Sequence, residues 1–216
     1  LIGMAAITWR IPKPETVKVG GGRASGVIAI LRRKEVWSLL LGSLLLGVAQ
    51  GMLLSFYSIH LGEHGIAKST MAWLWSLAVL AEATLYWFMT HISSRFSMRA
   101  LYLFSAFAGG VRYLMIAWGA DWISVLVIAQ LFYALSFGIQ NTMAVAYIHR
   151  FFGEAHRTTG QALYIVFTYG IGGSVGSVLT GILWDYFGGG WSFSVAALAS
   201  FIALLIAVPI SFGIAI

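Results

Sequence analysis

Cysteine is absent from this 216-residue chain. That removes disulfides, thiolate metal ligands and thiol nucleophiles together. Charge is nearly as scarce: 13 Lys and Arg and 7 Asp and Glu make up 9% of the residues, where a soluble domain carries about a quarter. A soluble fold of this length needs a polar skin, and so few charges cannot supply one. Disorder is excluded as well, because 15% of the chain is aromatic. What is present is apolar: 60% hydrophobic residues and a mean hydropathy of +0.88. Most of the chain must face lipid, or other helices within lipid.

Six long apolar segments stand at about 36–61, 69–91, 100–118, 122–148, 159–183 and 191–212. Each has about the 20 residues that a spanning helix needs. They are continuously apolar rather than alternating with period two, which argues against a β-barrel. Short turns separate them, at Gly62–Gly65, Ser93–Arg99, Gly119–Asp121, His149–Thr158 and Asp185–Gly190. Such turns make neighbouring helices antiparallel. The expected fold class is therefore all-α, a polytopic six-transmembrane-helix bundle over 35–216. Residues 1–8 are apolar but too short to span, and read as the remnant of a preceding transmembrane helix. Residues 9–34 read as a flexible basic linker, with Pro12, Pro14 and Gly20–Gly22 among seven Lys and Arg.

The net charge of +6 is an orientation signal rather than a nucleic-acid footprint. The linker and the 93–99 and 149–158 turns fall on one side and hold 7, 2 and 2 basic residues, whereas the opposite turns hold only Lys68. Lys and Arg collect in cytoplasmic loops, so the linker side is expected to be cytoplasmic. The expected location is the cell membrane, inner or plasma. Trp37, Trp122, Trp184 and Trp191 near span ends suit the interfacial belt.

Two charges belong to neither end. Glu82 lies within the second span and Arg112 within the third. Ionisable groups at such depth are costly, so they usually face the bundle interior and mark a pathway. At 1.5 Å per residue they lie roughly 14 and 18 Å from the cytoplasmic ends of their helices, so antiparallel neighbours can bring them together. A carboxylate beside a fixed cation suits proton release and uptake. The competing reading is a static salt bridge that pins two helices. In the fourth span Gln130, Tyr133, Phe137, Gln140 and Asn141 recur at spacings of three and four and predict a polar stripe. Gln50, Tyr57 and His60 form a weaker one in the first span, with His60 near the wetted outer end. Interhelical hydrogen bonding is the plainer role for each.

The fifth span is rich in small residues. Gly172 and Gly176, and Gly173, Ser177 and Gly181, predict close helix packing. Its Gly170–Gly176 string is no nucleotide loop, since no strand precedes it. His149, Glu154 and His156 share a turn without a standard metal spacing. No cofactor and no metal site is expected.

Several strings resemble a known family. Trp75-Ser76-Leu77-Ala78-Val79-Leu80-Ala81-Glu82 resembles the eighth-helix segment of the 3-phenylpropionate transporter group, which is related to lactose permease within the major facilitator superfamily. Gly110-Val111-Arg112-Tyr113 resembles its ninth-helix Arg segment, and Arg95 and Arg99 match the basic loop between. Gln161-Ala162-Leu163-Tyr164 and Gly181 to Gly188 resemble the eleventh helix and the following turn. The resemblance covers roughly 35–210. It implies the C-terminal six-helix half of a proton symporter, with Glu82 and Arg112 in substrate binding and proton coupling; the polar residues Gln50, Tyr57, Gln130, Tyr133 and Asn141 are then expected to line the substrate cavity. The implied partners are the bilayer, an N-terminal six-helix half, protons and a small solute such as an aromatic acid, nucleoside or sugar; no nucleic acid is implied. There is a departure. That group has a His in the tenth helix, and lactose permease a His and a Glu; here Tyr133 takes the His position and no acid follows. The rival to a transporter is a membrane scaffold or an intramembrane enzyme. An enzyme needs a clustered catalytic set, which the pattern of His residues does not offer. A scaffold has no need for polar groups converging on one face.

Overall fold

A computed structural model describes residues 22–208. The expected remnant helix and residues 9–21 of the expected linker lie outside the described residues. The rest of that linker is not open chain, because Gly22–Leu31 forms a helix, α1. Its Ile30 and Leu31 pack against the bundle, and the indole N–H of Trp37 donates to the Leu31 carbonyl at 2.7 Å. Apolar side chains at the end of this segment favour helix over solvated coil.

Three long helices follow: α2 over Lys34–Glu63, α3 over Lys68–Arg95 and α4 over Met98–Gly119. The next stretch, Ile123–Ala207, is 85 residues long. Drawn straight it would be about 130 Å long, several times a hydrocarbon core of about 30 Å. Gly153 (φ 59°) and Gly188 (φ 76°) interrupt it. Positive φ is open to glycine at little steric cost. The two glycines divide the stretch into 123–152, 154–187 and 189–207, here α5, α6 and α7. The turns expected at His149–Thr158 and Asp185–Gly190 are each concentrated in one glycine. The described residues contain no strand, and the polytopic all-α class holds. Proline is also absent from 15–208. No described helix therefore loses a backbone donor to proline, and in lipid each such group needs an internal partner.

α2 is the central helix: 67% of its apolar window is buried, against 17% for α3. It runs parallel to α6 with their backbones in contact. A Cβ at Gly47 would fall 2.1 Å from the Thr168 carbonyl oxygen, and one at Gly176 2.1 Å from that of Val48. The small-residue pattern of the fifth span thus does what such patterns do in lipid, letting two helices meet where larger side chains would hold them apart. Gly176→Leu is expected to cost about 1–3 kcal/mol through overpacking. The measurement is thermal unfolding of the intact protein in detergent; an unchanged midpoint would contradict the backbone contact.

Two apolar clusters fill the bundle. One, around Leu39, Tyr102, Tyr147 and Ile148, lies toward the end bearing Arg32, Arg33, Lys34, Arg95 and Arg99. The other, around Met52, Leu53, Ile116 and Phe193, lies toward the end bearing Glu63, Asp121 and Asp185. Between them, on four helices, lie Gln50, Glu82, Arg112, Gln130 and Tyr133. The bundle thus carries a polar belt at mid-depth.

Candidate functional site

Arg112 anchors this belt. It is the largest of the fully buried side chains, at 1% exposure. α4 presents it inward because Ala108, Gly109 and Tyr113 around it are also buried. Its guanidinium carbon sits 4.7 Å from the centre of the Tyr133 ring and 5.5 Å from that of Tyr113. Cation–π attraction of this kind is worth about 2 kcal/mol when desolvated. Its Nε and Nη1 have no hydrogen-bond partner. A buried cation with free N–H groups is expensive unless something anionic joins it.

The neighbours are polar and aromatic. The Tyr113 hydroxyl donates to Gln50 Oε1 at 3.2 Å. The Gln130 amide donates to the Tyr57 hydroxyl, and Gln130 Oε1 is left without a partner. The Tyr57 ring meets Trp75 edge-on at 5.3 Å, while Tyr133 stacks on Phe137 at 5.2 Å. Gln50, Tyr57, Gln130 and Tyr133 therefore gather around Arg112 from α2 and α5.

Glu82 belongs to a second group. It is partly buried on α3, and Tyr86, one turn on, donates to its Oε1 at 2.8 Å. A Cβ on Gly138 of α5 would fall 3.5 Å from Glu82 Cγ and 3.9 Å from the Tyr86 ring. On α5, Asn141 Oδ1 accepts from Tyr164 at 2.7 Å and from Tyr169 at 2.9 Å. Glu82 with Tyr86, and Asn141 with two tyrosines of α6, thus form two neighbouring hydrogen-bonded groups.

The direct Glu82–Arg112 contact suggested by the sequence is not formed: among the described residues the ion pairs are His64–Asp121 and Glu154–Arg157. Depth is not the reason. Counted from Arg95 and Met98, the two lie about 20 and 21 Å from the basic end, more nearly level than the shorter expected spans imply. The reason is lateral, since both groups lean on α5, Arg112 at Tyr133 and Glu82 at Gly138. Tyr133 carries the Arg112 guanidinium against its ring, five residues before Gly138 on the same helix.

The fourth-span stripe is split for a related reason. Ala134–Gly138 is a π turn. The extra residue in such a turn rotates the rest of the helix by about 100° relative to a regular one. Gln130 and Tyr133 therefore face α2 and α4, while Asn141 faces α6. A second π turn, Val166–Gly172, carries Tyr169. Tyr86 and Tyr169 are not marked by the stripe pattern. The one-turn spacing from Glu82 is the signal for Tyr86; Tyr169 has none, because its π turn sets its direction. His60 differs from expectation too: it is buried, and its Nε2 bonds the Ile116 carbonyl at 3.0 Å. Among the described residues no group of three His, Asp or Glu is placed to hold a metal.

The outer face beside this belt is also polar. Tyr86 and Tyr169 are exposed, and Ser55 donates to Ser177 at 2.7 Å on the surface between α2 and α6.

Fold and belt together define a polytopic helical membrane protein built around an intramembrane ionisable site. The MFS_1 like family is matched across residues 5–195, and the chain belongs to that family, within the major facilitator superfamily. It is similar to the probable 3-phenylpropionic acid transporter of Escherichia coli (strain K12), with 29% identity over 181 residues, covering 81% of this chain and 45% of that protein. The chain thus spans less than half the length of that relative. No solved structure matches it.

Proposed function

We propose that the chain is the C-terminal six-helix half of a secondary active transporter that carries a small aromatic carboxylate together with a proton. The observation that carries this reading is Arg112, a buried cation with unpaired N–H groups against the Tyr133 ring. A carboxylate would take those N–H donors in charge-assisted bonds, and the Tyr133–Phe137 stack offers an aromatic wall for a ring. The aromatic acid for which the E. coli relative is named agrees with both.

Glu82 would be the group that carries the proton. It lies level with Arg112 but apart from it, so substrate and proton occupy linked rather than shared positions. Tyr133, on the helix that both groups touch, would supply the link. Gln50, Tyr57 and Gln130 would complete the cavity, and Asn141 would hold the tyrosines around Glu82. Transporters of this kind keep their sites near the midplane between repeats and alternate access around them. The part-exposed Glu82–Tyr86, Asn141–Tyr169 and Ser55–Ser177 groups are poor company for lipid, which supports cover by a second six-helix half or by water. The basic end would be cytoplasmic, in the inner or plasma membrane. The same convergence favours transport over a scaffold, and over an intramembrane enzyme.

The test is uptake by the intact protein in proteoliposomes, acidic outside and alkaline inside. 3-Phenylpropionate is expected to accumulate until a protonophore collapses the gradient, while the amide of the same acid is not carried. Uptake of a sugar or nucleoside but no aromatic acid would overturn the substrate class. Uptake indifferent to the proton gradient would overturn symport.

A further inference from the structure

The groove between α3 and α4 is used by none of the residues assigned above. Leu85 and Ile92 of α3, Phe96 just past its end, Ala100 and Phe104 of α4, and Leu135 of α5 line a cavity of about 480 Å³, and every residue lining it is apolar. It opens outward, since Phe96 and Phe104 are 57% and 45% exposed. It runs from Phe96, at the end of α3, down to Leu85, a length of about 16 Å. That is one leaflet's share of a hydrocarbon core of about 30 Å.

The turn that joins α3 to α4 beside it carries positive charge. Arg95 is the last residue of α3 and Arg99 the second of α4, so they flank Phe96 and Ala100. Both are exposed, and neither joins an ion pair among the described residues. Arg99 donates to the Val208 carbonyl at the end of α7, which anchors it at this level. α4 contains no acidic residue, and its amino end adds a partial positive charge at the same place.

We infer that this groove holds one anionic phospholipid from the leaflet at the basic end, with an acyl chain in the cavity and the phosphate on Arg95 and Arg99. The apolar wall selects a hydrocarbon chain and excludes a polar solute. The two cations select the head group, because a neutral lipid would fill the cavity equally well and leave them unmatched. Basic pockets between helices at membrane surfaces bind acidic head groups for this reason.

The experiment is native mass spectrometry of the intact protein, released from mild detergent with equal phosphatidylglycerol and phosphatidylcholine of matched chains. One phosphatidylglycerol is expected to be retained preferentially. The Arg95→Ala/Arg99→Ala variant is expected to lower its retention about 25-fold, at about fivefold per cation, without changing that of phosphatidylcholine. Ala100→Trp, at an exposed position in the mouth, is expected to displace the lipid with both arginines in place. Lys68→Ala, at the opposite end, is expected to change nothing. Equal retention of the two lipids would overturn the inference, as would full retention by either the arginine or the Ala100→Trp variant. So would a lower unfolding temperature for Ala100→Trp at an unchanged lipid count, which would mark another stretch of protein as the occupant. The two groove variants are independent, so one that fails to fold leaves the other decisive. Because neither touches Glu82 or Arg112, failure here leaves the transport reading standing, and the reverse.

Discussion

Arg112→Met is expected to abolish uptake and yet raise the thermal stability of the intact protein. The side chain is 1% exposed, and its Nε and Nη1 have no partner. A buried ion costs several kcal/mol in desolvation. The rings of Tyr133 and Tyr113 return about 2 kcal/mol at most. Methionine fills similar space without the charge. Each kcal/mol gained raises the midpoint by about 2–4 °C in a protein of this size, so an increase of several degrees is expected. A static role, with the cation pinning helices, requires the midpoint to fall. Among variants that keep or lose charge, Arg112→Ala is expected to impair uptake more than Arg112→Lys. Lysine retains the charge but not the planar fork that bonds a carboxylate in two places. Losing a hydrogen bond to a charged group costs about 1.5–3 kcal/mol, so apparent affinity in Arg112→Ala falls by roughly 10- to 150-fold. Wild-type uptake by both variants would make the cation dispensable.

Glu82→Gln is expected to leave the protein in the membrane at normal levels while ending accumulation against a gradient. Glutamine preserves the shape, and its carbonyl can still accept from Tyr86, which in the wild type donates at 2.8 Å. It cannot carry a proton. Symport of one proton per solute across one pH unit sustains at most about tenfold accumulation, or about 1.4 kcal/mol. In the variant the ratio of internal to external solute should fall to about one. Normal accumulation in vesicles would remove Glu82 from the coupling and shift attention to the tyrosines of the belt.

The chain's membrane architecture is legible in its sequence for a direct reason. Lipid offers no partner to backbone N–H and C=O groups, so each crossing must be a long internally bonded apolar helix. Such helices announce themselves in composition, as Leu39 to Leu61 and Ile123 to Ile148 do. The two intramembrane charges are legible for the same reason, since any Glu or Arg stands out there. The small-residue run of α6 is legible too. Gly172, Gly173 and Gly176 mark a close approach, and α2 is the helix that approaches.

The site is only partly legible. Position along a helix follows from counting residues, and Glu82 and Arg112 do lie level. Direction around a helix follows from regular spacing only while the helix stays regular. The π turn at Ala134–Gly138 breaks that spacing and sends Asn141 to a different neighbour from Gln130 and Tyr133. The Tyr86 and Tyr169 partners become visible only once α3, α5 and α6 are side by side.

The scarcity of charge therefore fixed by itself that this is a membrane protein and which two residues are out of place in lipid. The tertiary structure alone decided that those two residues do not pair. They lean instead on one helix, Arg112 at Tyr133 and Glu82 at Gly138. Sequence encodes depth because rise per residue is constant, whereas lateral placement depends on packing between helices and on local departures from helical pitch that composition does not record.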